Sequence, residues 1–257
     1  MPLNKPADIE NKRIVITGGT SGMGKILVEA FPALGAHIVF FGRNKKAGDA
    51  LANSTGTTFI QTDIADQTAL KNSMATAVTQ LGGLDILINT AGISPGVKAE
   101  EILLEDWNEV MDINSTGTFL SNTLAFPYLK ENGGTILNFS SAGGILGYPN
   151  KAHYAASKGA VTAWVRSIAK EWAPYGIRVN AIAPAIWTPM YDKTRAAMSP
   201  EQLAAHDEML KANIPLGGKL GDVEQDYLPI MRFLCSDDAR FMTGQMFAVD
   251  GGALMLR

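Results

Sequence analysis

A glycine-rich segment, Thr17-Gly18-Gly19-Thr20-Ser21-Gly22-Met23-Gly24, joins a β-branched run, Arg13–Thr17, to an apolar-periodic stretch, and this junction constrains the chain more than any other feature. Glycines at such a turn let the backbone reverse tightly and let a ligand approach bare main chain. The helix that follows aims its free N–H groups back at the turn, which favours a phosphate there. Gly18, Thr20, Ser21, Gly22, Met23 and Gly24 are therefore candidate contacts for a dinucleotide pyrophosphate.

The same alternation continues along the chain. His37–Phe41, Thr58–Gln61, Leu84–Asn89, Thr135–Ser140, Arg178–Ala183 and Met246–Val249 are short apolar runs bounded by Gly, Asn, Asp or Pro, as expected of strands buried on both faces of a parallel sheet. Gly24–Leu34, Lys45–Ala52, Gln67–Leu81, Leu104–Lys130 and Ala152–Ala173 carry apolar residues at helical spacing, the fourth being long enough for two helices. Alternating strands and helices with right-handed crossovers predict an α/β fold: a doubly wound parallel sheet of about seven strands with helices on both faces. Pro32 lacks a backbone donor and predicts a kinked or shortened last turn in the first helix. Residues 185–214 form too long a connection for an ordinary loop and read as a substrate-binding lid. With no repeat, low-complexity tract or polar linker, residues 1–257 are expected to form one domain.

Composition narrows the partners. A chain of 257 residues, 46% hydrophobic and 18% charged, has the balance of a soluble globular protein. Its formal net charge of −3 gives no electrostatic reason to expect nucleic acid or an anionic membrane, so a small molecule is the expected partner. The single cysteine, Cys235, lies in the apolar stretch Ile230–Cys235 and excludes both an internal disulfide and a thiolate-rich metal cluster; no metal is expected. Met1–Asn11 has no apolar signal core, and no apolar run approaches the roughly 18 residues that span a bilayer, so a cytoplasmic location is expected.

In dinucleotide folds the end of the second strand reads the adenine ribose, a carboxylate selecting a free 2′-hydroxyl and an arginine selecting a 2′-phosphate. Here the residues are Phe40-Phe41-Gly42-Arg43-Asn44, with no carboxylate. Arg43 and Asn44 become candidate contacts and NADP(H) is favoured over NAD(H), the alternative being that Arg43 is a solvated surface charge. Asp63-Ile64, just past the third strand, is placed to border the adenine, although an Asp there also suits a helix cap.

Tyr154-Ala155-Ala156-Ser157-Lys158 puts a phenol and an ammonium one turn apart on a helix face. A free tyrosine, with a pKa near 10, is a poor acid–base group at neutral pH, and a neighbouring cation favours its phenolate. Ser140-Ser141 ends the fifth strand, at the sheet edge where open α/β folds bind ligands. Of the pair, Ser141 is the candidate to hydrogen-bond a substrate oxygen and stabilise charge developing there.

With these motifs in order, the sequence resembles the short-chain dehydrogenase/reductase family from about Lys12 to Gly252. Thr17–Gly24 matches its T-G-x-x-x-G-x-G, Tyr154–Lys158 its Y-x-x-x-K and Ser141 its catalytic serine. Asn180-Ala181-Ile182-Ala183-Pro184, Thr243-Gly244-Gln245 and Asp250-Gly251-Gly252 continue the pattern. The resemblance implies a Rossmann-type fold and an NADP(H)- or NAD(H)-dependent oxidoreductase that interconverts a ketone and a secondary alcohol. It implies that Tyr154 and Lys158 also touch the cofactor and that Asn114 holds a water linking the lysine to solvent. Asn89, Ala91, Gly92, Pro184, the Ile186 backbone and the Thr188 hydroxyl complete the implied cofactor contacts. Two departures stand out: the family's N-N-A-G reads Asn89-Thr90-Ala91-Gly92, and the usual glycine after Pro184 is missing, which brings Ile186 and Thr188 one residue early. A homotetramer is also implied, with Leu104–Lys130 and Ala152–Ala173 against a neighbour.

Trp187, Met190, Tyr191, Met198, Leu203 and Met209 give the lid an apolar, adaptable character, and Ile93, Ile145, Leu146 and Tyr148 supply an opposite wall. With Ser141 on the reacting oxygen, they suggest a hydrophobic cyclic or aryl ketone or secondary alcohol. For His153 and His206, packing or surface roles are expected. An alternative is a 3-oxoacyl-carrier-protein reductase. The positions where those enzymes carry basic docking residues read Lys130-Glu131-Asn132 and Trp172-Ala173-Pro174-Tyr175, a poor match. An alternative of another class is a non-catalytic NADP-binding sensor or scaffold. A complete Asn114, Ser141, Tyr154, Lys158 set argues against it.

Overall fold

A computed structural model describes residues 8–255, with the side chain of Met190 outside the described residues. Seven parallel strands form one sheet in the order β3-β2-β1-β4-β5-β6-β7: β1 (Arg13–Thr17), β2 (His37–Gly42), β3 (Thr58–Gln61), β4 (Ile86–Asn89), β5 (Gly134–Phe139), β6 (Ile177–Pro184) and β7 (Met246–Val249). The order reverses between β1 and β4, where Thr17 pairs with Asn89. Crossovers leave this point in opposite directions, so the loops at the strand ends splay apart and open a crevice.

Helices cover both faces because the strands are apolar on both. Ile14 and Ile16 of β1 pack with Leu27 and Val28 of α1 (Gly22–Ala30) and with Met231 and Leu234 of α10 (Leu228–Cys235). Val15, facing the other way, belongs to the cluster holding Leu70 and Met74 of α3 (Gln67–Leu81), Ala125 and Leu129 of α5 (Gly117–Leu129), and Val161 and Val165 of α7 (Ala152–Trp172). Each fully buried Val, Leu or Ile contributes about 1.5–3 kcal/mol, so these clusters hold the helical layers to the sheet. The remaining helices are α2 (Lys45–Thr55), α4 (Leu104–Met111), α6 (Gly143–Leu146), α8 (Pro189–Ala196) and α9 (Pro200–Asn213).

Local chemistry sets the boundaries. At Pro32 the α-helical pattern gives way to a tighter turn over Phe31–Leu34, closed by Gly35 at φ 80°. β4 starts at Ile86 and not at Leu84, because Asp85 is held by Arg13 through Nε (2.9 Å), Nη2 (2.7 Å) and the Arg13 amide (2.8 Å). The stretch Leu104–Lys130 divides into α4 and α5 at one widened turn, Asp112–Thr116, in which Gly117 N–H reaches back to Asp112. Such turns displace side chains from the regular helix face, and this one buries Asn114 completely. The long connection after β6 folds as α8 and α9. Arg195 ion-pairs with Asp207 and lies 4.9 Å from the Trp187 ring, while Tyr191 hydrogen-bonds His206, so the helix pair is stapled by its own side chains. Among the described residues no helix is long and apolar enough to cross a membrane.

Candidate active site

An open cleft of about 1020 Å³ runs along the carboxyl edge of the sheet at the β1/β4 reversal. Gly18, Thr20, Ser21, Gly22, Met23, Gly24, Arg43, Asn44, Asp63, Ile64, Ala91, Gly92, Ile93, Ser141, Tyr154, Lys158, Pro184 and Thr188, all named from sequence, line it. The glycine loop and the tyrosine–lysine pair therefore share one cavity.

The loop is a cradle that side chains would fill. A Cβ on Gly18, at φ 71°, would lie 2.7 Å from the Ala91 backbone, and one on Gly24 would lie 2.7 Å from the Gly18 carbonyl oxygen. The first amides of α1 have no carbonyl four residues back within the helix, and the Ser21 side chain makes no capping bond to them. These donors and the positive end of the helix fit a pyrophosphate.

Thr90 explains how the chain tolerates losing an asparagine there. Its Oγ1 donates to the Thr17 carbonyl at 2.6 Å, tying the end of β4 to the end of β1. Asn89 continues the brace, its Nδ2 donating to Asn138 Oδ1 at 2.9 Å while its Oδ1 accepts from Thr17 Oγ1 at 3.2 Å. Buried at this junction, Asn89 does not line the cleft.

At the adenosine end, Arg43 is exposed and its guanidinium has no hydrogen bond or ion pair among the described residues. Asn44 caps α2 through Oδ1, which accepts from Ala47 N–H at 3.0 Å, and Asp63 Oδ1 accepts from Ala65 N–H at 3.0 Å.

At the other end stands α7. Lys158 is buried beneath the cleft and its Nζ donates to the Phe139 carbonyl at 2.7 Å. Burial pushes its pKa down to about 8. The Tyr154 phenol is held above its usual range, burial outweighing a hydrogen bond with Ser141 that favours the phenolate. In the free protein the Lys158 ammonium is turned onto the Phe139 carbonyl. Of the two serines, Ser140 is committed to Thr162 Oγ1 (2.7 Å) and the Lys158 carbonyl (3.0 Å), which leaves Ser141 for the cleft. The Asn114 carboxamide accepts from Ile93 N–H (2.8 Å) and donates to the Ile93 carbonyl (2.9 Å) and Ser157 Oγ (3.0 Å), fastening the loop after β4 to α7.

Not every candidate comes to this cleft. Ile186 is buried and bridges Gly221, while Trp187 lines a second groove with it and donates Nε1 to Asp192. With the deletion after Pro184, residues 185–187 are pinned to Gly221, and only Thr188, which caps α8, turns back to the cleft. Ile145 and Tyr148 are exposed beside the cleft, and Tyr191 is engaged with His206. The Met190 side chain lies outside the described residues. His153 is fully buried and His206 partly so, in line with packing roles. Sequence reasoning missed Thr62, Ser94, Pro95, Glu109 and Ile113, which also line the cleft. Thr62, Ser94 and Pro95 follow the ends of β3 and β4, so a uniform search of strand ends would have found them; Glu109 carries no such signal.

A family model described as enoyl-(acyl carrier protein) reductase matches residues 18–253. The chain is 33% identical over 245 residues to the L-fucose dehydrogenase of Mus musculus, covering 94% of this chain and 88% of that protein. It is 36% identical over 252 residues to the 2,5-dichloro-2,5-cyclohexadiene-1,4-diol dehydrogenase of Sphingobium indicum, covering 96% and 98%. Among solved structures it resembles Cj0485 dehydrogenase, with a TM-score of 0.89, 28% identity and 98% of each chain covered. It also resembles a protein from Sinorhizobium meliloti described as a short-chain alcohol dehydrogenase, with a TM-score of 0.85, 30% identity, and 97% and 98% covered. This chain belongs to the short-chain dehydrogenase/reductase family, whose dehydrogenases use NAD(P), and is an oxidoreductase acting on CH–OH groups.

Proposed function

We propose that the protein interconverts a hydrophobic or cyclic secondary alcohol and its ketone with NADP(H) in preference to NAD(H). One observation carries this reading: the glycine cradle with Arg43 at one end, and Ser141, Tyr154 and Lys158 at the other, line a single cleft. The two relatives are named for a sugar and a cyclic diol, which supports a ring alcohol as the substrate class.

A bound nicotinamide supplies or accepts the hydride; the protein's residues do the rest. In reduction, Tyr154 Oη gives its proton to the nascent alkoxide, and in oxidation the phenolate takes the alcohol proton. Ser141 donates a hydrogen bond to the same oxygen and stabilises its charge as it develops. Lys158 places a cation beneath this pair, and Asn114 keeps one lone pair of Oδ1 for a proton-relay water. Arg43 would pair with the 2′-phosphate of NADP(H). Residues 185–214, as α8 and α9, act as a lid that Arg195 holds together between Trp187 and Tyr191. Exposed Leu104, Trp107, Phe119 and Tyr128 on α4 and α5 support association into a homotetramer.

Steady-state kinetics with NADP+ and NAD+ on cyclohexanediols, L-fucose and the alcohol products of acetoacetyl thioesters test the reading. It expects highest kcat/KM for a ring alcohol with NADP+. Preference for the thioester products would favour the carrier-protein reductase, and cofactor binding without turnover on the whole panel would favour a sensor.

A further inference from the structure

Lys151 stands where a cation is costly. It is the N-cap residue of the 21-residue helix α7 and its side chain makes no capping bond. The start of a helix is its positive end, so an acid or a hydroxyl stabilises there and an ammonium does the reverse. Nor is the charge neutralised. Among the described residues Lys151 forms no ion pair, and neither Asp63 nor Glu109, the carboxylates that line the cleft, bonds to it.

The wall of the cleft is what holds this residue in place. Val97 N–H donates to the Asn150 carbonyl at 2.8 Å and Val97 bridges Lys151, which stitches the loop after β4 to the turn before α7. Lys151 Nζ then donates to Ser94 Oγ at 3.0 Å and lies 5.8 Å from the centroid of the Tyr154 ring. Ser94 and Tyr154 both line the cleft, so the half-buried Lys151 is fixed at the end that holds Ser141, Tyr154 and Lys158.

An ammonium has three protons to give and no lone pair, and a serine that accepts one of them keeps its own proton. The pair therefore offers N–H and O–H donors together with an unmatched positive charge. A carboxylate, which only accepts and is negative, complements both properties, whereas a neutral hydroxyl meets the donors and leaves the charge unmatched. We propose that Lys151 and Ser94 form a subsite for a carboxylate carried by the ring alcohol or ketone, with Lys151 setting specificity for such acids over neutral ring alcohols. The inference rests on the reading of this cleft as the oxidoreductase site and adds one charged group to its substrate.

Cyclohexanecarboxylate and cyclohexanecarboxamide differ in charge and little in shape, and neither has an alcohol to oxidise. Calorimetric titration of the full chain with each, at saturating NADP+ and again without cofactor, reads the subsite with no turnover. The acid should bind wild type roughly tenfold more tightly than the amide. Lys151→Met should abolish that margin and leave amide affinity within about twofold, and Ser94→Ala should remove part of it. Added salt should weaken binding of the acid and spare the amide, a check on the wild type alone. With 3-hydroxycyclohexanecarboxylate and cyclohexanol as substrates, kcat/KM for the acid alone should fall about tenfold in Lys151→Met, chiefly through KM. Equal affinities for acid and amide, a margin that survives Lys151→Met, or equal losses on both ligands overturn the proposal. Failure of the underlying reading looks different: Tyr154→Phe would retain turnover of both alcohols, whatever the affinity for the acid.

Discussion

Lys158 Nζ donates to the carbonyl of Phe139 at 2.7 Å, so an ammonium on α7 is held by the main chain at the end of β5. Burial is the cause that pushes its pKa from 10.5 down to about 8. The unfolded chain would therefore bind the proton more tightly than the folded one. Below pH 8 both states are protonated and folding bears the whole penalty, roughly 3 kcal/mol; as pH rises from 8 towards 10.5 the penalty is relieved. Denaturant titrations of wild type and Lys158→Met across this range should show the difference in unfolding free energy moving in favour of the wild type. A constant difference would mean that the ammonium is not desolvated.

Tyr154→Phe removes the phenolic proton and leaves the ring in place. We expect turnover to drop by about 10²–10⁴-fold, the contribution of one positioned acid–base group, with the dissociation constant for NADP+ nearly unchanged. Fluorescence titration and initial-rate kinetics on the same preparation check both halves.

Arg43 has no partner to lose among the described residues, so its removal should act on the ligand alone. Arg43→Ala is expected to reduce kcat/KM for NADP+ by about 10–100-fold, the loss of a charge-assisted contact, and to leave NAD+ kinetics within about twofold. Equal losses with both cofactors would remove the assignment to the 2′-phosphate.

Gly24 has no room for a side chain: its Cβ would be 2.3 Å from Thr90 Oγ1 and 2.7 Å from the Gly18 carbonyl oxygen. Gly24→Ala should cost about 1–3 kcal/mol of stability through backbone displacement and weaken binding of either dinucleotide more than tenfold. Thermal unfolding with and without cofactor separates the two effects. Pairing it with Thr90→Ser, which keeps the hydroxyl that bonds Thr17 but trims a methyl, tests whether that contact can yield.

The sheet was legible because period and punctuation agree: runs such as Ile14–Ile16 are apolar on both faces, and the core uses both. Pro32 was legible for a similar reason, as a missing amide has one local consequence. What could not be read is where a side chain spends its hydrogen bonds. Nothing in Tyr-x-x-x-Lys says that Lys158 turns to Phe139, and nothing in the lid composition says that Trp187 leaves the cleft for Asp192. Ile186 followed its strand neighbour Gly221, a partner thirty-five residues away along the chain, which no local pattern encodes.

The Asn114 carboxamide grips Ile93 on one side and Ser157 on the other. The loop after β4 that walls the cleft and the helix that carries Tyr154 and Lys158 are thus clamped to a common anvil. On the proposed reading, the alignment of Tyr154 and Lys158 with the wall of the cleft is laid down during folding, before any ligand enters.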